Sequence, residues 1–193
     1  MTTIFLARHG ESDWNVEKRF QGHRDRPLTE RGREQAHALA ALVAREKIDA
    51  VYTSPLSRAR ETADIVAAGT GLEPVALPEL REVDTGSWSG LSRADVEGRF
   101  PEGYIRWRSG GSGWEDGETY EEMAERVIGA LRTIAEEHPD GRVLIISHGG
   151  PIRAIHAAAE GLAIKDYRRL KPVEPNARLS AVAVENGRLT RLD

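Results

Sequence analysis

Two uninterrupted apolar runs, Ile4 to Ala7 and Val143 to Ile146, each end in a polar residue, a histidine and a glycine: Arg8-His9-Gly10 and Ser147-His148-Gly149. A strand without polar alternation is apolar on both faces, as in the middle of a parallel sheet with helices on either side. Ligands of such sheets bind beyond the carboxyl ends of the strands, so His9 and His148 are expected in one crevice. Helical periodicity fills the intervals. Thr29 reads as the N-cap of a helix with Ala36, Leu39, Ala40 and Val43 on one face. Ser54-Pro55 predicts a second helix start, running through Ala63, Ile65 and Val66 to Gly69 or Gly71. Thr119-Tyr120-Glu121-Glu122 is a capping box opening a third, with Met123, Val127, Ala130, Leu131 and Ile134 inward, and a fourth is expected from Pro151. Residues 48–53 and 74–77 read as shorter strands, and Asn186-Gly187 between two apolar runs predicts a hairpin.

Two stretches break the period. Ser12 to Arg26 is charged and reads as a loop on the ligand side. Residues 86–118 hold several glycines, Pro101 and the tryptophans Trp88, Trp107 and Trp114, with at most a short helix from Ser92 to Phe100. Long irregular segments in compact domains are usually functional, so this one is expected to be a lid or pocket wall. A surface loop pinned by tryptophans is the alternative. No repeat or linker divides the chain, and residues 1–193 are expected to form a single domain.

Composition narrows the class only slightly. The absence of cysteine excludes disulfides and thiolate metal sites, and the net charge of -4 argues against a general nucleic-acid surface. No basic-then-apolar leader and no long apolar run are found, so neither a signal peptide nor a membrane span is expected and the protein is expected to be cytoplasmic.

The residues at or just beyond the strand ends are Arg8, His9, Arg58, Glu82 and His148. Together they suit a phosphate monoester. Guanidinium groups grip phosphoryl oxygens through a planar fork, keep their charge, and can replace the metal ions of other phosphoryl-transfer sites. A neutral imidazole can attack phosphorus when its other nitrogen is held by a hydrogen bond. Glu82, when protonated, could hand a proton to the departing oxygen. Backbone donors at the start of the helix after His148, Gly149 among them, would favour an anion. Each residue also has a plain structural reading, as a polar boundary histidine, a helix-surface arginine or a loop carboxylate. A zinc site is disfavoured because no two histidines show close helical spacing, and the lysine motif of nucleotide-binding phosphate loops is absent.

Arg8-His9-Gly10-Glu11 continues through Trp14-Asn15, Phe20-Gln21-Gly22 and Leu28-Thr29-Glu30-Arg31-Gly32. With Ser54-Pro55-Leu56-Ser57-Arg58-Ala59, Leu80-Arg81-Glu82 and Ser147-His148-Gly149-Gly150, the chain resembles the histidine phosphatase superfamily in its phosphoglycerate-mutase-like branch. The resemblance implies a three-layer α/β/α sandwich with a mainly parallel central sheet. It implies that His9 forms a phosphohistidine, that Arg8, Arg58, His148 and Asn15 hold the phosphoryl group, and that Glu82 is the general acid and later the base. No metal or organic cofactor is implied. Mutases of the branch resemble Glu-Arg-His-Tyr-Gly after the acid, whereas here the stretch is Glu82-Val83-Asp84-Thr85-Gly86. The reading is therefore a metal-independent phosphomonoesterase acting on a small phosphorylated metabolite. A 2,3-bisphosphoglycerate-dependent phosphoglycerate mutase is the alternative, and a non-catalytic phosphate-binding regulatory module a third. Gln21, Gly22, Arg106, Arg108 and Trp114 are the candidate specificity residues, and neither nucleic acid nor membrane is expected as a partner.

Overall fold

The computed structural model describes residues 1–192, so Asp193, the last residue of the expected domain, lies outside the described residues. The two apolar runs are β1 (Thr2–Arg8) and, much later, β4 (Arg142–Ser147), which pair in parallel with Arg8 opposite Ser147. Between them in the chain come β2 (Ala50–Thr53) and the short edge strand β3 (Val75–Ala76). After them the Asn186-Gly187 turn joins β5 (Leu179–Glu185) to β6 (Arg188–Arg191), both turn residues having positive φ as a tight hairpin requires. Among the described residues one six-stranded sheet runs in the order β3-β2-β4-β1-β5-β6, with β5 alone running against the other strands.

Alternate side chains of a strand point to opposite faces, and both faces are covered. Phe5, Ala7, Leu144 and Ile146 pack with Leu39 and Val43 of α2 (Glu30–Val43) and with Ala59, Ala63 and Val66 of α3 (Ser57–Ala67). Ile4, Leu6, Val143 and Ile145 pack with Met123, Val127 and Leu131 of α6 (Tyr120–Glu137) and with Ile152 and Ile155 of α7 (Gly149–Ala159). The result is a three-layer α/β/α sandwich. The charged segment after β1 opens with one turn, α1 (Asp13–Val16), and α8 (Ile164–Leu170), which has no clear periodic signal, packs beside α7.

Three boundaries differ from the sequence reading. Pro55 does not open α3: Ser54 still donates its N–H to the Ile146 carbonyl at 3.1 Å, so the chain turns only afterwards and helix begins at Ser57. The last helix before β5 and α8 begins at Gly149, with His148 itself as N-cap, two residues ahead of Pro151. Residues 86–118 hold more helix than expected. Ser92 and Asp95 form a capping box for α4 (Arg93–Arg99), and Pro101 occupies the first turn of α5 (Pro101–Arg108). Trp88 anchors the segment: it is fully buried, with Phe20, Trp114 and Phe100 around it at ring-centroid distances of 5.2, 5.5 and 6.2 Å.

The end of β1 is pinned by a backbone contact that only glycine permits. A Cβ on Gly10 would stand 2.3 Å from the Gly32 carbonyl oxygen, and one on Gly32 would stand 2.1 Å from the Glu11 carbonyl oxygen. The first turn of α2 therefore lies directly against the residues that follow His9. An alanine inside a helix normally adds up to about 1 kcal/mol relative to glycine. Gly32→Ala is expected to do the opposite, losing about 1–3 kcal/mol through overpacking, read as a lower urea midpoint with an unchanged slope. A midpoint at or above that of the unaltered protein would show that this contact does not fix the strand end.

Candidate active site

Because Arg8 and Ser147 are opposite each other, the residues after them emerge side by side. His9 and His148 meet edge to face with ring centroids 5.1 Å apart, and both are buried. Nδ1 of His9 lies 2.6 Å from the Gly10 carbonyl oxygen. That oxygen only accepts, so Nδ1 carries the hydrogen and Nε2 keeps its lone pair. Burial, followed by the charges of Arg58 and Arg8, pushes the His9 imidazole well below its ordinary pKa, so it is neutral at pH 7. His148 is held down in the same way, by burial first and then by Arg58, His9 and Arg8. Its Nε2 lies 2.7 Å from the Ser54 hydroxyl. Ser54 also accepts from the Leu56 N–H, and with the Ser54 hydroxyl donating to His148 Nε2 the hydrogen of His148 sits on Nδ1.

The arginines stand around this pair. Arg58, from the first turn of α3, is fully buried and spends Nη1 and Nη2 on the carbonyls of Arg24 and Gly22 at 2.9 and 3.0 Å. Burial pulls its pKa down to about 10, which leaves it charged at pH 7. Arg8 donates Nη1 to the Glu174 carbonyl at 2.9 Å and is likewise lowered by burial. Arg8 Nε, Arg58 Nε and His148 Nδ1 are buried and have no acceptor among the described residues. A buried donor left unpaired costs about 1–3 kcal/mol, and three of them beside one free imidazole nitrogen define a place for the oxygens of an anion. Asn15 faces the same cavity; its Oδ1 accepts from the Ser12 N–H and hydroxyl, both at 3.0 Å.

Glu82 approaches from the opposite loop. Its Oε1 accepts from the Val83 and Gly150 N–H groups at 3.0 and 3.1 Å, which places the carboxyl at the N-terminus of α7. A Cβ at position 150 would stand 2.3 Å from that oxygen and would push the carboxyl group aside. The backbone under Glu82 is tied down by Arg126, which donates to the carbonyls of Arg81 and Glu82 and pairs with Glu118 at 2.6 Å. Ser147 holds the Leu80 carbonyl at 2.7 Å, and His23 donates to the Glu82 carbonyl at 2.8 Å.

Arg8, Asn15 and Glu82 line a cavity of about 310 Å³, whose walls do not include the buried His9, Arg58 and His148. Its walls include Arg8, Asn15, Gln21, Gly22, Glu82 and Gly149 from the sequence reading. Arg106, Arg108 and Trp114 are placed elsewhere. Neighbouring positions on a helix are about 100° apart, so α5 turns Trp107 into the cavity and leaves Arg106 and Arg108 exposed. Arg106 pairs with Glu115, and Trp114 sits in the core with its indole N–H on the Glu118 carbonyl at 2.8 Å. Several contributors are not among the site residues read from the sequence. Thr62 accepts from the Gly10 N–H at 3.0 Å, Asn176 donates to the His9 carbonyl at 2.9 Å, and Tyr120, Arg153 and Arg168 line the outer cavity. Among the described residues no group of three or more His, Cys, Asp or Glu side chains is arranged to hold a metal ion, and no helix is long and apolar enough to cross a membrane.

Comparison with known proteins places the chain in one family. The sequence model of the histidine phosphatase superfamily (branch 1) matches residues 4–192. The chain is 35% identical over 169 residues to phosphoserine phosphatase 1 of Hydrogenobacter thermophilus, covering 86% of this chain and 80% of the relative. It is 36% identical over 174 residues to the probable phosphoglycerate mutase GpmB of Cronobacter sakazakii, covering 89% and 80%. A solved mycobacterial glucosyl-3-phosphoglycerate phosphatase superposes with a TM-score of 0.89 at 29% identity, over 98% of this chain and 96% of that one.

The depressed histidines make stability depend on pH in a defined direction. Above about pH 6.5, the ordinary histidine value, folded and unfolded states are both neutral at these positions. Below it the unfolded chain binds protons that the folded chain refuses, so stability falls as pH falls. Each histidine contributes a slope of up to about 1.4 kcal/mol per pH unit. His9→Gln should therefore flatten the loss of urea midpoint between about pH 6.5 and 5. An identical profile in the variant would show that His9 is not held neutral by the fold.

Proposed function

We propose that this chain, a phosphoric monoester hydrolase that belongs to the histidine phosphatase superfamily (branch 1), hydrolyses a small phosphorylated metabolite through a phosphohistidine on His9, without a metal. The observation that carries the reading is the free Nε2 of a buried, neutral His9 beside three buried donors that lack acceptors. The phosphoryl oxygens complete the bonding of Arg8, Arg58 and His148, with Asn15 and the backbone at Gly149 beside them. Nε2 then attacks in line with the ester oxygen. The N–P bond forms as the P–O bond breaks, and the departing oxygen takes its proton from Glu82. In the second half the Glu82 carboxylate accepts a proton from water, the water oxygen bonds to phosphorus, and His9 leaves as the neutral imidazole from which it started. The arginines supply the charge stabilisation that a metal ion provides elsewhere.

Water as the acceptor is favoured by two of the names above, a phosphoserine phosphatase and a glucosyl-3-phosphoglycerate phosphatase. The third is named a probable mutase, and a mutase remains the second reading because the same phosphohistidine serves both reactions. The stretch Val83-Asp84-Thr85-Gly86 favours the phosphatase.

Phosphorus NMR of the protein with 3-phosphoglycerate, a trace of 2,3-bisphosphoglycerate and several phosphosugars, all in chelator, tests this directly. Inorganic phosphate should accumulate from at least one of them. Appearance of 2-phosphoglycerate without phosphate would make the chain a mutase, and turnover only after a divalent metal is added would overturn the metal-independent mechanism.

A further inference from the structure

Arg126, in the second turn of α6, stands outside the cavity, and its guanidinium faces the loop that carries Glu82. Nη1 donates to the carbonyls of Glu79 and Arg81, the second at 2.9 Å, and Nη2 donates to the Glu82 carbonyl at 3.0 Å. The remaining donors go to Glu118, from Nε at 2.6 Å and from Nη2 at 2.7 Å. All five N–H groups of the side chain are therefore taken. Arg8 and Arg58 are the reverse, since each keeps a buried Nε with no acceptor among the described residues. Those two are open to an anion, whereas Arg126 is closed to one and holds backbone.

Glu118 completes the clamp. Its two oxygens fix the plane of the guanidinium, and its backbone N–H donates to the Asp84 carbonyl at 2.9 Å. With side chains only 20% and 18% exposed, the pair is unlike the solvated surface bridges that contribute little. The loop is thus gripped at 79, 81, 82 and 84, on both sides of the Glu82 side chain. A tie between a loop and a helix can serve stability alone, but this one is separable from the phosphoryl cradle. His9 is held on the Gly10 carbonyl, Arg8 on the Glu174 carbonyl, Arg58 on the carbonyls of Arg24 and Gly22, and His148 on Ser54. None of those bonds passes through Arg126. The Glu82 carboxyl has only the N–H groups of Val83 and Gly150 as hydrogen-bond partners among the described residues, so its place follows the backbone beneath it.

We propose that Arg126 is a positioning residue for Glu82, acting on delivery of the proton to the departing oxygen and not on the grip on the phosphoryl group. The proposal rests on the phosphatase reading, which makes Glu82 the acid, and adds the device that aims it. A displacement of about 1 Å at a reacting group can cost about 100-fold in rate. Here the loss falls only where the leaving oxygen needs a proton.

Two esters separate this from a purely structural role. The leaving group of 4-nitrophenyl phosphate hardly needs a proton; that of 3-phosphoglycerate does, and glucose 6-phosphate takes its place if 3-phosphoglycerate is not hydrolysed. The ratio kcat/KM reports the steps up to loss of the alcohol, so the later work of Glu82 as base does not enter. Arg126→Gln should lower kcat/KM about 10–100-fold for the alkyl ester and less than about threefold for the nitrophenyl ester. The inhibition constant of inorganic phosphate should stay unchanged. In a Glu82→Gln background the same substitution should cost the alkyl ester nothing further. Arg126→Lys, which reaches fewer carbonyls, should give a smaller loss in the same pattern, and it carries the test if Arg126→Gln fails to fold. Arg33→Gln, on α2 and paired with Glu61, should change neither ester. Equal losses on both esters, a raised phosphate constant, or an alkyl loss that persists without Glu82 would reduce Arg126 to a structural tie and overturn the proposal. Hydrolysis of no ester by the unaltered protein is a different result: it removes the phosphatase reading, and the aimed acid with it.

Discussion

The parallel pairing of β1 with β4 sets Arg8 opposite Ser147, and nearly everything in the site follows from that register. A slip of one residue would turn every side chain of β1 to the other face, exchanging Ile4 and Leu6 with Phe5 and Ala7 between two cores that have different partners. The register is thus fixed by packing far from the chemistry. Its consequence is that two imidazoles leave adjacent strands at the same level and meet at 5.1 Å. Glycines then let other elements close on them: Gly10 and Gly32 admit α2, and Gly150 brings the start of α7 against Glu82.

Around that pair the fold works against its own stability. Arg58 is fully buried, Arg8 is close to it, and among the described residues neither forms an ion pair as the surface arginines do, the charge of Glu82 reaching both only through space. The unspent donors and the depressed imidazoles are two sides of one arrangement. Burial, and after it the charges of Arg58 and Arg8, keep His9 neutral and nucleophilic before an anion arrives, and the anion then repays the desolvation of the arginines.

How much of this was legible in the sequence depended on the physical signal each residue carries. His9 and His148 could be found because an apolar run that stops abruptly has one structural meaning, and Arg58 and Glu82 followed from strand ends and motif spacing. Helix starts were read too literally from proline: backbone pairing at Ser54 delayed α3, and the N-cap geometry of His148 advanced α7. The small hydroxyls of Ser54 and Thr62 act only through tertiary contacts, which no local pattern reports. In the 86–118 segment tryptophan and arginine both suggested ligand contact. The turn of α5 and the pull of the core on Trp88 and Trp114 sorted them instead, leaving Trp107 in the cavity and Arg106 outside. Arg153 and Arg168 resemble solvated helix arginines in sequence, and only their neighbours distinguish them.

The central claim is that His9 Nε2, held neutral and unprotonated at that atom, takes the phosphoryl group. The most direct measurement is rapid quenching into alkali during turnover of a phosphate ester, followed by peptide mapping of the phosphoryl group by mass spectrometry. The account predicts an acid-labile, alkali-stable phosphoryl group on the peptide containing His9 that appears before inorganic phosphate and is lost in His9→Ala. Turnover with a phosphoryl group on no residue, or on His148 instead, would contradict it.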